Sequence, residues 1–270
     1  MCDSSLLSND AWGEVVDRVF DVSTLLAFRR VCRQAASELV PFVPHHDSID
    51  LFFLDAIAKG DDSRCVRVLE KFSRFRDCIS PSVVLRAAEC GRIHVIHWLH
   101  VHHGSKFTTW VMNQAAESGH LHVVQWLNHN RSEGCTSSAM NGAARNGHLH
   151  VIEWLHDNRS EGCTSWAMDL AAVFGHFHVV EWLHRNRGEG CTKDAMDGAA
   201  RFGHLHVVEW LHDNRSEGCT KDAMDGAARV GHLHVVEWLH DNRSEGCTKD
   251  AMDGAASYGE SVETGHVVTR

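Results

Sequence analysis

The chain carries two side-chain types that could do chemistry in unusual number, histidine and cysteine, with 23 and 10 copies. His-x-His recurs along the chain, as at His204 and His206, and could in principle grip a metal ion. Residues two apart on a helix do not face each other, so such a pair cannot close on one ion. Equivalent imidazoles in stacked helical repeats would lie about 10 Å apart, whereas zinc needs its ligands at about 2 Å. Neither His-Glu-x-x-His nor Cys-x-x-Cys occurs. Structural or surface roles are the expectation for these rings, with no metal and no cofactor. Half of the cysteines are one copied position, Cys135, Cys163, Cys191, Cys219 and Cys247. At about 10 Å they are too far apart to bridge, which points to reduced thiols and a cytoplasmic or nuclear protein.

The carboxylates lead to the same place. Asp197, Glu209 and Asp213 recur with the repeat and read as a solvated ladder. No glycine-rich phosphate loop, nucleophile elbow or paired catalytic carboxylate stands out. An enzyme needs one unique constellation, and copied units do not build one. A net charge of −10 with histidine neutral disfavours a nucleic-acid backbone as partner. No run approaches the roughly 18 apolar residues of a membrane span. The first residues lack the basic and then apolar pattern of a signal peptide.

What must position these residues is a repeat. Gly91, Gly119, Gly147, Gly175, Gly203 and Gly231 follow one another at intervals of 28. Residues 192–219 and 220–247 differ only at Phe202 against Val230. A fixed period of this length indicates an all-α solenoid, because one unit cannot bury its apolar face alone. Each unit predicts two helices. The first runs from about Asp194, its N-cap, to Phe202, with Met196, Ala199 and Ala200 as the apolar stripe and Gly203 as the stop. The second runs from about His204 to Asp213 with Leu205, Val208 and Leu211 three apart. Trp154, Trp182, Trp210 and Trp238 are expected to stack as one continuous core.

The stretch Ala199-Ala200-Arg201-Phe202-Gly203-His204-Leu205-His206-Val207-Val208-Glu209-Trp210-Leu211 resembles the core of the ankyrin repeat. The resemblance implies a module that binds another protein, with helix-1 residues lining a concave face. Asp194-Ala195-Met196-Asp197 stands where the family has Thr-Pro-Leu-His, and the unit is shorter, so the β-hairpin finger is expected to be trimmed to a tight loop. About seven units fill residues 49–258, the first degenerate and the last truncated, and 259–270 reads as a frayed tail.

Residues 5–44 are not repeat. Trp12, Val15, Val16, Val19 and Phe20 form a helical stripe, and Leu25, Phe28, Cys32, Ala35 and Leu39 form a second. Two readings stand: a helical pair capping the array, or a segment that resembles an F-box. The likeness lies in Leu7, the first amphipathic helix and Leu25-Leu26-Ala27-Phe28-Arg29-Arg30-Val31-Cys32-Arg33, with Ser8 in place of the family's proline. An F-box would imply docking to the adaptor subunit of a cullin–RING ubiquitin ligase through Leu7, Trp12, Val16, Phe20, Leu26, Val31 and Cys32, the repeats choosing the substrate.

Framework positions must repeat, whereas contact positions are free to vary. The variable ones include Ser118, Asn146, Phe174, Phe202 and Val230, then Glu117, Arg145, Val173, Arg201 and Arg229, and also Gln114, Gly142, Leu170, Gly198 and Gly226. The unit 164–191 departs most, with Trp166, Leu170, Val173 and Phe174. Together with Arg201, Phe202, Arg229 and Val230 they are the expected partner-binding residues.

Overall fold

Copied alanine, glycine and valine positions dictate what the computed structural model shows. It describes residues 80–254 together with Ile57, Val66 and Ala256. Among the described residues there is no strand, and no helix is long and apolar enough to cross a membrane. The F-box-like segment with Leu7, Trp12, Val16, Phe20, Leu26, Val31 and Cys32 lies outside the described residues. So do nearly all of the degenerate first repeat and the tail 259–270.

Helices come in pairs: α1 (Pro81–Glu89) and α2 (Ile93–His103), α3 (Thr109–Glu117) and α4 (Leu121–Asn130), α5 (Ser137–Arg145) and α6 (Leu149–Asn158). Then follow α7 (Ser165–Val173) and α8 (Phe177–Asn186), α9 (Lys193–Arg201) and α10 (Leu205–Asn214), α11 (Lys221–Val230) and α12 (Leu233–Asn242). Contacts divide the chain into two units, Met1–Val111 with Gln125–Glu133, and Met112–Val124 with Gly134–Arg270.

In the first unit α1 packs on α2, burying Val83, Val84, Ala87 and Ala88 against Val95, Ile96 and Leu99. Arg92 Nε donates to the Ile57 carbonyl at 3.1 Å. Arg131 clasps the short 3₁₀ turn Gly104–Lys106 by donating from Nη2 to the Gly104 carbonyl at 2.8 Å, and its guanidinium lies 4.7 Å over the Phe107 ring.

In the second unit each first helix packs on the first helix of the next repeat, α5 on α7, α7 on α9 and α9 on α11, and each second helix folds back on its own partner. One repeat shows why. Thr192 is extended and its Oγ1 accepts from the Asp194 N–H at 3.1 Å, satisfying an orphan donor of the first turn. The N-cap is therefore Thr192, not Asp194. Both residue types can cap, and only the backbone register decides between them.

Helix α9 ends with Gly203 N–H on the Ala200 carbonyl at 3.1 Å and His204 N–H on the Ala199 carbonyl at 2.9 Å. Those two bonds require a left-handed residue at Gly203, where φ is 78°. The chain turns at once into α10. Ala195, Met196, Ala199, Ala200, Val207, Val208 and Leu211 are buried, and the alanines let neighbouring repeats approach closely.

The four copied tryptophans do not form the core. Trp154, Trp182, Trp210 and Trp238 are only half-buried. Three of them pack edge-on against a histidine of the preceding repeat: Trp182 on His156 at 5.3 Å, Trp210 on His184 at 5.0 Å and Trp238 on His212 at 5.3 Å. Small and branched side chains already fill the interior. The indole, one step round the helix from Leu211, is left at its margin.

Candidate functional site

Three sets of side chains tie repeat to repeat in the second unit, and what they leave uncovered is the candidate binding surface. The first set begins at Asp197 of α9. Its carboxylate accepts from Thr220 N–H at 2.7 Å and from Thr220 Oγ1 at 2.6 Å. Asp169 does the same to Thr192, at 2.7 and 3.0 Å, and Asp225 to Thr248, at 2.8 and 2.7 Å. In earlier repeats Asn113 and Asn141 bond Thr136 and Thr164 through their amides. Asp197 is thus a half-buried cross-repeat brace and not a solvated rung, a correction to its sequence reading. Burial pushes the Asp169 and Asp197 carboxyls above the usual range, and the threonine donors pull the other way.

The second set holds the loops. Arg187 pairs with Glu189 and packs over Gly162 of the preceding loop. Its Nη1 lies 3.3 Å from His156 Nδ1. Because a guanidinium only donates, the imidazole accepts there and carries its proton on Nε2. Arg215 with His184 (3.4 Å) and Arg243 with His212 (3.2 Å) repeat the arrangement. In the first unit Arg131 and His100 do so at 3.3 Å. Arg131, Arg159, Arg187, Arg215 and Arg243 hold their partners Glu133, Glu161, Glu189, Glu217 and Glu245 below the ordinary carboxyl range. Beneath these loops, burial pushes the Cys135, Cys163 and Cys191 thiols up to about 11, so they stay protonated and poorly nucleophilic. The described cysteines are free thiols.

The third set is the Gly-His imidazoles. The His204 ring lies against Gly175 so closely that a Cβ there would sit 2.7 Å from it, and His148 and His176 cover Gly119 and Gly147 likewise. The second ring of the pair reaches the same glycine: His150 Nε2 is 3.1 Å from the Gly119 carbonyl and His178 Nε2 is 3.2 Å from that of Gly147. Burial lowers the pKa of His148, His176 and His204, and neighbouring histidines add to the effect. A depressed folded-state value means that the unfolded chain binds more protons below about pH 6.5. The stability they contribute is therefore intact above about pH 6.5 and is lost as pH falls through their folded values. The three histidines act against the raised Asp169 and Asp197 carboxyls, and being more numerous they should make the melting temperature drop between pH 7 and pH 5. A melting temperature flat across that interval contradicts the account.

Among the large apolar side chains left exposed are those on the solvent face of α7 and its neighbours. Trp166, Leu170 and Val173 run along α7 at helical spacing, and Phe174 closes the helix as its C-cap. Trp166 is 67% exposed, Phe174 43% and Phe202 48%. The Phe174 and Phe202 rings stack across two repeats at 6.5 Å and 17°. Arg145 lies 5.3 Å over Phe174, and Arg201 lies 5.7 Å over Phe202. Leu170 is half-exposed where neighbouring repeats have glycine. Val173 is held differently from its neighbours: its Cγ2 presses on Gly198, whose missing Cβ would sit 2.3 Å away, so part of its role is packing. Gly226 makes the same close approach to Arg201. Where it holds glycine, at Gly142, Gly198 and Gly226, this helix-1 position is thus a packing position, and not the free contact position that its variability at Gln114 and Leu170 implied.

Arg201 and Arg229 are exposed and Val230 is half-buried. The two arginines share an open cleft of about 420 Å³ with Asp194, Asp197, Asp222, Asp225 and Asp250. Sequence reasoning passed over this cleft, because its aspartates recur in every late repeat and so read as framework. It also passed over Trp110, 63% exposed at the repeat position of Trp166. The signal was there: tryptophan at that position in two units and aspartate in three.

Residues 112–197 match the family model for ankyrin repeats, in three copies. No curated protein matches the chain.

Proposed function

We propose that this ankyrin-repeat protein captures another protein on the exposed face of its helix-1 row, with Trp166, Leu170, Phe174 and Phe202 as the contact. Ankyrin repeats are protein–protein interaction modules. The observation that carries the particular site is the run of large apolar side chains left in solvent while Ala167, Met168, Ala171, Ala172, Ala195, Met196, Ala199 and Ala200 beside them are buried. Two stacked phenylalanines capped by two guanidiniums make a rigid surface that needs little ordering on binding. Aromatic and arginine side chains are also the types that dominate interface energetics.

Phe174→Asp should reduce capture of the partner by more than tenfold, because it puts a charge where a ring is to be desolvated. Its circular dichroism should be unchanged, since the position is exposed. Affinity capture by the full chain and by the variant, compared partner by partner, checks it; unchanged recovery overturns this site.

The likeness of residues 5–44 to an F-box supports a more specific role. In it the segment docks on the adaptor subunit of a cullin–RING ubiquitin ligase, through Leu7, Trp12, Val16, Phe20, Leu26, Val31 and Cys32, and the repeats present the substrate. The same capture, probed for that adaptor with the full chain and with residues 5–44 removed, tests this role. If the adaptor is not recovered with the full chain, a plain interaction scaffold remains.

A further inference from the structure

Trp166, Asp194, Asp222 and Asp250 occupy one position of the repeat, the second residue of helix 1 in α7 and α9 and its counterparts in the next two repeats. They therefore form a row that crosses the helices instead of following one. All four are exposed. Asp194, Asp222 and Asp250 line the cleft, and among the described residues none of the three enters an ion pair. The lysines beside them, Lys193, Lys221 and Lys249, are offset by about 100° round the helix and do not line it. Arg201 and Arg229 lie seven residues further along their helices, about 10 Å down the axis at 1.5 Å per residue, and Arg201 is engaged over Phe202. The row is thus an apolar station followed by three carboxylate stations.

The spacing identifies what fits. Packed helices stand about 8–10 Å apart, and an extended chain rises about 3.3 Å per residue. A strand laid along the row passes one station every third residue. Resting on the reading that the helix-1 face binds protein, we infer that the partner offers an extended segment with one apolar side chain for Trp166, followed at every third residue by a lysine or arginine for Asp194, Asp222 and Asp250. Three like charges facing one cleft repel each other, and cations spaced to match relieve that repulsion. The same charge disfavours a nucleic-acid or acidic partner.

The probe is a fluorescein-labelled peptide, Leu-Gly-Ser-Arg-Gly-Ser-Arg-Gly-Ser-Arg, made also in reversed order because the row does not set chain direction. Its control has the same composition with the three arginines adjacent. Fluorescence anisotropy with the full chain should show the better of the two orders binding about fivefold more tightly than the control. Asp194→Asn, Asp222→Asn and Asp250→Asn combined should weaken it about tenfold and erase the spacing preference, three exposed ion pairs being lost. The amides are isosteric and the sites exposed, so circular dichroism should not change. Trp166→Ser should lower affinity about fivefold while keeping the preference for spaced arginines. Equal binding of spaced and adjacent arginines, or binding unchanged in the triple variant, overturns the inference. Should that occur while Phe174→Asp still weakens capture, the partner has another chemistry and only this inference falls. Should Phe174→Asp capture normally as well, the helix-1 face itself falls.

Discussion

Leu211→Ala should destabilise the second unit by about 2–5 kcal/mol, and by clearly more than Trp210→Ala next to it. Size alone argues the reverse, since indole is the larger group. Leu211 is 1% exposed and sits among Ala199, Ala200, Val207 and Val208, where truncation leaves a cavity that rigid alanine-lined helices cannot collapse. Trp210 is half-buried, with its edge on His184. Its loss removes two edge-on ring contacts, with His184 and Phe177, and part of one apolar surface, about 1–2 kcal/mol. Urea unfolding of the two variants decides between them, and a larger shift for Trp210→Ala would restore the tryptophan stack as the core.

Gly203→Ala carries the second large effect, about 2–4 kcal/mol, from adding one methyl group. The turn holds Gly203 at a φ of 78°, which a residue with a Cβ adopts only at a cost of about 1–2 kcal/mol. The added Cβ would also sit 2.7 Å from the His232 ring, which must shift away and give up its seat between repeats. Gly188→Ala is the control. It lies in a loop with nothing within 4 Å of its would-be Cβ, and its stability should stay within about 0.5 kcal/mol of the parent. Similar thermal shifts for the two would show that the turn is softer than its geometry implies.

Both contrasts mark where sequence reading stops. The period of 28, the two helices per unit and the glycine between them were legible because each is a local rule written many times over. Apolar residues three and four apart can only be a helical face, and a helix that runs into glycine and restarts at once must turn there. The exposed stations Trp166, Phe174 and Phe202 were legible for the converse reason: copying should have preserved those positions, and it did not.

The rest depends on partners that lie 23 or 31 residues away, in the neighbouring repeat. Asp197 and Asp213 both recur in the units 192–219 and 220–247, yet one braces Thr220 and the other faces water. No window on one unit separates them, because the difference is made by what the next unit brings alongside. The same holds for Arg187, whose reach to His156 is set by stacking, and for Trp210, which the close fit of the alanines displaces to the margin. The row from Trp166 to Asp250 likewise comes into being only when repeats are laid side by side: its residues are 28 apart in the chain and about one helix diameter apart in space. Sequence alone determined the unit and its helices; the stacking of units decided which of its copied side chains are bolts and which are surface.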